Sequence, residues 1–332
     1  MAGGSNRQIE FASRNRNRRR SKLPASLALL ALALLAAPHA ARAQVQAQGS
    51  VPSIPSAVPE LKVMTWNIRG GLVRPGDEGP KRCIPNPASQ HSPYLIGIAK
   101  EIRRHAGLDV VALQEVYRSQ AIELKRMLFT HLGTNLDLHF VATINCDRIG
   151  DQYGLAIFSR YKFLEGSGRT VQLCTRCPGN EPRVLARVKI SVDGHPVHIY
   201  NTHFPPGGDV HFRMASLISF QVAFVDRPDR AVLPGDFYFS PGRRAYNVLT
   251  TVFTDAWVRH HGDKECENTN KTMHPTQRDD FVFVKGSFRV DAARVTCRDK
   301  LLEQFGLTIT SPNVARRVPD HLPLTVSLAL VE

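Results

Sequence analysis

Apolar positions along the chain follow two alternating periods. Residues 61–67 alternate apolar and polar side chains, as a strand with one buried face would. Residues 110–113 form a continuous apolar run, which predicts a strand buried on both faces. Residues 138–144, 154–159, 183–191, 197–202, 231–233, 281–285, 288–295 and 322–331 read as further strands. Helical spacing separates them. Ser92-Pro93 has the form of an N-cap and first helical position, opening a helix to about His105 that stops at Gly107. Residues 119–132 are amphipathic with Gly133 as their stop, residues 213–226 fit another helix, and Ser240-Pro241 is expected to cap one more. No internal repeat is present. Many strands and few helices predict two packed sheets flanked by helices, not a singly wound sheet.

Polar residues mark the ends of these apolar runs. They are Asn67 in MTWNIRGG, Glu115 in VVALQEV, His203 in IYNTHF, Asp236 in AVLPGDF, Asp280 in DDFVFV, and Asp320 with His321 in PDHLPL. A sheet with these termini delivers carboxylates, imidazoles and an amide to one rim. Such a rim suits a divalent metal and a phosphate ester.

The N-terminal stretch departs from this pattern. A basic run covers residues 7–22, an apolar segment covers residues 23–38, and Ala41-Arg42-Ala43 follows as a small-x-small site. That order is expected of a secretory signal peptide, and the apolar run is shorter than the ~20 residues a bilayer span needs. Arg19-Arg20 leaves the Sec and twin-arginine routes both open. Residues 44–60 read as a flexible Gln/Pro/Ser linker, and residues 61–332 are long enough for one large domain. The chain of 332 residues carries +14, and cleavage after Ala43 removes eight basic residues and one acidic one, leaving +7. A basic surface favours polyanions such as nucleic acid or anionic lipid. All six cysteines, Cys83, Cys146, Cys174, Cys177, Cys266 and Cys297, lie in the large domain. Their even number in an exported chain predicts disulfides of open pairing. Cys174-Thr-Arg-Cys177 reads as a loop staple rather than a redox or zinc motif.

Each polar residue has a bland reading as well as a chemical one. Glu115 alone is a loop carboxylate; at the end of an apolar strand it needs a partner, and a hard cation that takes oxygen ligands is one. Asn67, before Gly70-Gly71, is a turn residue or a ligand for metal or phosphate. Asp280 near His321 would fix the imidazole tautomer, as general acid–base chemistry requires. Asp236 would polarise a water, and His203 would donate to a phosphate oxygen as charge builds there. A single histidine is more often structural, so the inference rests on the set.

The set, in this order, resembles the endonuclease/exonuclease/phosphatase superfamily with the deoxyribonuclease-I-like fold. The resemblance spans residues 61–331. It is carried by Trp66-Asn67-Ile68, Gln114-Glu115, the block from Tyr153 to Arg160, Asn201-Thr202-His203, Gly235-Asp236-Phe237, Asp280-Phe281 and Asp320-His321. It implies an α/β fold, a four-layer α/β/β/α sandwich of two packed mixed sheets flanked by helices. It also implies that Glu115, Asn67 and Asp320 hold Mg2+, with Mn2+ or Ca2+ as alternatives. Asp236 would activate water, and His321 with Asp280 would form an acid–base or phosphate-stabilising dyad. His203 and Tyr153 would contact the phosphate. Asn67, Arg69 and the residue at position 238 would bind substrate. The family reads Gly-Asp-x-Asn where this chain has Tyr238, and a phenol cannot reproduce a carboxamide's donor–acceptor pair. Pro319 stands where the family has serine, a change that would mainly shape the loop.

The function expected is an exported phosphodiesterase, secreted or periplasmic, acting on DNA or RNA as a monomer without an obligate protein partner. Arg69, Arg74, Lys81, Arg82 and Arg118 are candidates to meet phosphates near the rim. A sphingomyelinase-type phospholipid phosphodiesterase is the alternative. It is disfavoured because Trp66 and Trp257, the only two tryptophans, do not form an aromatic membrane hairpin. A weakly active or non-catalytic binding protein is a further alternative, supported by Tyr238 alone. Mass spectrometry of the exported protein is expected to find Gln44 at the N-terminus; full-length protein recovered from the cytoplasm would contradict export.

Overall fold

The hydrophobic periods map onto two sheets. The computed structural model describes residues 58–70, 92–132, 135–260, 268–270 and 276–332. The expected leader, the linker up to residue 57, Arg74, Lys81, Arg82, Cys83, Gly133 and Cys266 lie outside the described residues. The first half of the chain forms β1 (Glu60–Asn67), α1 (Pro93–Arg104), β2 (Val110–Tyr117), α2 (Arg118–Leu132), β3 (Asp137–Cys146) and β4 (Asp151–Ser159). Then come β5 (Arg169–Cys174), β6 (Arg183–Val192), β7 (His195–His203), α3 (Val210–Phe220), β8 (Ala231–Asp236) and α4 (Arg244–Leu249). The last third forms β9 (Thr254–Asp255), α5 (Ala256–His260), β10 (Asp280–Lys285), β11 (Phe288–Val295), α6 (Arg298–Gln304) and β12 (Leu324–Leu330).

One six-stranded sheet has the order β11-β12-β1-β2-β4-β3 and the other the order β5-β6-β7-β8-β10-β9. Each has one parallel pair near its centre, β1 with β2 and β7 with β8, and antiparallel pairs elsewhere. Parallel neighbours need a crossover, which α1 and α3 supply. Asn67, His203 and Asp236 therefore end strands that run the same way within each sheet, the usual place for a ligand crevice.

Alternation along the strands builds the layers. In β8, Val232 faces the core between the sheets, whereas Ala231 and Leu233 face α3 and α4. In β10, Val282 and Val284 point inward while Phe281 and Phe283 pack with Met214, Ile218 and Leu249 on the outer side. Leu95, Ile98, Leu124 and Leu128 of α1 and α2 cover the first sheet. The result is the expected α/β fold, a four-layer sandwich of two mixed sheets. Phe281 and Phe283 stack at 5.2 Å with nearly parallel planes, and Phe237 meets both edge-on. Such pairs add about 0.5–1.5 kcal/mol beyond their burial. Here they anchor the backbone just after Asp236 and Asp280.

Several boundaries differ from the sequence reading. β2 does not stop at Leu113; its pairing with β4 resumes after a register shift between Leu113 and Val116. The apolar period ends where this bulge begins, although the backbone ladder continues. Ser240-Pro241 does not cap a helix. The carbonyl of Ser240 accepts the Arg243 N–H at 3.3 Å in a turn, Gly242 takes φ +82°, and α4 starts afterwards. Ser92 occupies the N-cap of α1 without a side-chain cap bond. α3 continues into a π-helical turn, Gln221–Asp226, which ends at left-handed Arg227. The edge strands β5 and β9 and the short helices α5 and α6 carried no legible period.

Cys174 and Cys177 are joined by a disulfide at the end of β5, which leaves the C-x-x-C pair no free thiolates for zinc. Cys146 and Cys297 are disulfide-bonded too, and no described cysteine is free.

Candidate active site

Asn67 and Glu115 come from the first sheet. The β2 bulge puts Glu115 in a left-handed conformation, φ +55°, uncommon outside glycine. This turn aims its carboxylate across the sheet end toward β8. Asn67 Nδ2 donates to Glu115 Oε1 at 3.2 Å and to Asp236 Oδ2 at 2.9 Å, joining one sheet to the other. Its Oδ1 accepts the Arg69 N–H at 2.9 Å. Tyr153, buried in β4, hydrogen-bonds Glu115 and packs edge-on against Tyr117.

The second sheet supplies the rest. Asp236 is fully buried, and its Oδ2 lies 3.6 Å from His203 Nε2 and 3.7 Å from His321 Nε2. Asp280 stands directly opposite Asp236 in the antiparallel register of β8 and β10. His321 Nδ1 donates to Asp280 Oδ2 at 2.7 Å. The loop before β12 is pinned by Trp66 Nε1 donating to the His321 carbonyl at 2.9 Å and by Leu322 N–H donating to the Thr269 carbonyl at 2.7 Å. Thr269 Oγ1 accepts the Asp280 N–H at 3.0 Å. Asp280 Oδ1 is buried and meets no donor.

Arg183 orients His203. It donates to His203 Nδ1 at 2.7 Å and pairs with Glu181 at 3.0 Å, both side chains being almost fully buried. An arginine can only donate, so Nδ1 accepts and the ring proton sits on Nε2. Nε2 lies 3.7 Å from Glu115 Oε1, so that proton points into the space between the two carboxylates.

Burial and crowding shift the acids upward. Burial raises the Glu115 carboxyl, and the charges of Asp320 and Glu181 raise it further. Asp236 is held well above the usual carboxylate range by burial, a rise that His321 opposes and Asp280 reinforces. Asp279 is pushed up to about 6 by burial and the charge of Asp280. Burial alone would lower His321, but Asp280 and Asp236 outweigh it and hold the imidazole well above its ordinary value. Burial also raises the phenols of Tyr153 and Tyr238, keeping both neutral.

Asp236, Asp280 and His321 offer ligand atoms within 4.8 Å of one another, and this buried group could hold a metal ion. Tyr238 lies at the same place. It has φ +51°, a conformation that asparagine tolerates better than tyrosine, and its ring stacks on His203 at 5.9 Å and meets His321 edge-on at 6.3 Å. Arg69 and Asp320 sit farther out and pair with each other at 3.3 Å, both partly exposed. Arg118 is exposed at the start of α2. The sequence reading had not singled out Arg183, Glu181, Thr269 or Asp279. Arg183 opening an apolar strand was the one visible signal, since a charge there needs a partner.

Residues 64–297 match the Endonuclease/Exonuclease/phosphatase family, and the chain belongs to that family. Comparison with curated proteins finds no match. Among solved structures, an endonuclease/exonuclease/phosphatase of Bacteroides vulgatus shares 20% identity at a TM-score of 0.61, over 82% of this chain and 99% of its own. A mannosyl-6-phosphatase of Bacteroides thetaiotaomicron shares 20% identity at a TM-score of 0.58, over 81% and 99%. TDP2 of D. rerio, solved with a single-strand DNA product, shares 14% identity at a TM-score of 0.57, over 81% and 98%. At such identities these likenesses establish the fold.

The raised His321 value has a testable sign. Its charged form stabilises the fold below about pH 6.5, and that contribution is lost as pH rises through the higher folded value. Imidazole nitrogen NMR is expected to find His321 doubly protonated at pH 7.5. Asp280→Asn is expected to lower its pKa by about one to three units. Ordinary titration near 6.5 in both proteins would contradict the pairing.

Proposed function

We propose that the chain is an exported, magnesium-dependent phosphodiesterase that cleaves nucleic acid, with Mn2+ or Ca2+ as alternative ions. The observation that carries this reading is the convergence of Asn67 and Glu115 from one sheet with His203 and Asp236 from the other, beside the Asp280–His321 pair.

Glu115 and Asp320, with the Asn67 carboxamide, are the better metal donors. They offer oxygen, and the repulsion that raises Glu115 is what a cation would relieve. His321 is held as an imidazolium, which has no lone pair to give. When bound, the ion would offset charge on the phosphoryl oxygens. Asp236, raised by burial, suits a base that takes a proton from water near neutral pH. Asn67 fixes the carboxylate that does so. His203 presents its Nε2–H toward a non-bridging oxygen, as an oxyanion donor would. His321, charged through Asp280, stabilises developing negative charge or returns a proton to the leaving oxygen. Tyr153, Tyr238 and Arg69 complete the phosphate surroundings.

Nucleic acid is favoured by the +7 charge after the expected cleavage and by a relative solved with a DNA product. The mannosyl-6-phosphatase relative keeps monoesters in the test panel. Phospholipid is disfavoured by the placement of exposed aromatics. Phe220 and Phe224 are 57% and 61% exposed, but they lie at the far end of α3, where the chain turns toward the start of β8. Asp236 is at the opposite end of β8. Export is supported by the basic–apolar–small order of the N-terminus and by the bonded cysteines.

The mature protein is expected to hydrolyse plasmid DNA or RNA with magnesium and to lose activity in EDTA, with sphingomyelin, inositol phosphates and mannose 6-phosphate as comparisons. His321→Ala should lower kcat by at least about 10²-fold. Glu115→Gln should raise the magnesium concentration needed for half-maximal rate. Full activity in EDTA, or an unimpaired His321→Ala, would refute this assignment. Tyr238→Asn should change the rate or the substrate ranking about tenfold, roughly 1.4 kcal/mol of barrier. Unchanged kinetics across the panel would show that the phenol plays no part in substrate handling.

A further inference from the structure

The catalytic residues leave one neighbouring feature unused. A cavity of about 730 Å³ adjoins them and has Tyr238 as a shared wall. Its other walls come from the loop after β7 and the first turns of α3 and α4. The volume falls in the range of small-molecule sites, about 300–1,000 Å³. Arg213, Arg243 and Arg244 line it, and Asp209 is the one carboxylate of the lining. All three arginines are exposed, and none of them forms an ion pair among the described residues. The Arg244 guanidinium lies 3.6 Å over the ring of Phe212, which fixes its position. His211 also lines the cavity, with its Nε2 held by the Pro205 carbonyl at 2.6 Å. Planar guanidiniums without an ion-pair partner are suited to bidentate phosphate contacts. Tyr238 and Phe212 add aromatic surface for a sugar or base, which stacks on such rings without sequence preference.

We propose that this cavity binds a second phosphate group of the substrate, on the far side of Tyr238 from the bond that is cut. The proposal rests on the phosphoester hydrolase reading above. Tyr238 then acts as a specificity residue: one face of its ring lies against His203, and its remaining surface divides the scissile phosphate from the second one. The preferred substrate carries at least two phosphates joined through a ring. Nucleotide chains and phosphorylated cyclitols share that chemistry.

Calorimetric titration of the mature protein in EDTA tests the cavity apart from turnover. The probes are thymidine 3′,5′-bisphosphate against thymidine 3′-monophosphate, and myo-inositol 1,4-bisphosphate against the 1-monophosphate. At least one bisphosphate is expected to bind about tenfold more tightly than its monophosphate. The pair that shows the advantage names the source. Arg213→Ala with Arg243→Ala should abolish the advantage while leaving monophosphate binding unchanged. Both side chains are exposed, so the fold should survive, which a thermal melt checks; Arg213→Gln and Arg243→Gln singly should each reduce the advantage if the double variant does not fold. Equal affinity for mono- and bisphosphates in both pairs overturns the proposal. So does an advantage that survives loss of the arginines. A bisphosphate advantage in a protein that hydrolyses nothing in the magnesium panel would refute the hydrolase reading and leave the cavity assignment standing.

Discussion

Two buried amides hold the sheets in register. Gln114 Nε2, at the bulge of β2, donates to Asn201 Oδ1 of β7 at 2.8 Å and to Thr65 Oγ1 of β1 at 3.1 Å. Asn201 Nδ2 returns to the first sheet, donating to the carbonyls of Leu113 at 3.0 Å and Ala156 at 3.1 Å. Gln114, Asn201 and Thr65 are all fully buried. A buried polar group left unpaired costs about 1–3 kcal/mol, so sliding one sheet by a residue would orphan several groups at once. Apolar packing alone tolerates such slips far better, because dispersion and burial lack direction. The candidate site residues are placed by counting from these amides. Glu115 follows Gln114, His203 lies two beyond Asn201, and Asn67 lies two beyond Thr65.

Charge is concentrated where the amides place it, and each buried group needs a reason to stay there. Burying ions is expensive unless they are paired and hydrogen-bonded. The Asp280–His321 pair satisfies this, as does the chain Glu181–Arg183–His203. Asp236 and Glu115 are less well provided for: they share the two protons of a single amide nitrogen, and each takes one further neutral hydrogen bond, Asp236 from the Tyr238 N–H at 3.3 Å and Glu115 from the Tyr153 hydroxyl. That shortfall distinguishes the site from the structural ion pairs elsewhere. Glu101, for comparison, is buried with Arg104, His105 and Thr296 around it, and its carboxyl drops to about 2.

Much of this was legible in the sequence, because strand period and chemistry coincide at strand ends. Asn67, His203 and Asp236 each close an apolar run, and the structure brings them together with Glu115, Asp280 and His321. The bulge after Leu113 was not legible: it depends on β4 lying alongside, and no local period encodes a partner strand. The N-cap expected at Ser240 failed for a similar reason, since Gly242 permits a turn that delays α4 to Arg244. Thr269 was invisible because its role exists only through contacts with residues elsewhere in the chain, and Arg183 showed only a charge at the start of an apolar strand, with nothing to name its partners. Tyr238 was flagged as an exception to a motif; its contacts with both histidines show that the exception sits within the site.

The placement of His321 bears on the order in which the protein is made. β12 is inserted between β11 and β1, and His321 stands just ahead of it. Trp66 at the start of the domain hydrogen-bonds the carbonyl of a residue 255 positions later. A growing chain that has emerged only through β10 has Asp280 without its imidazole and β1 without its antiparallel neighbour. The constellation therefore closes only after almost the whole domain has been synthesised. Fragments released early by a stalled ribosome or cut by a protease would lack the charged pair.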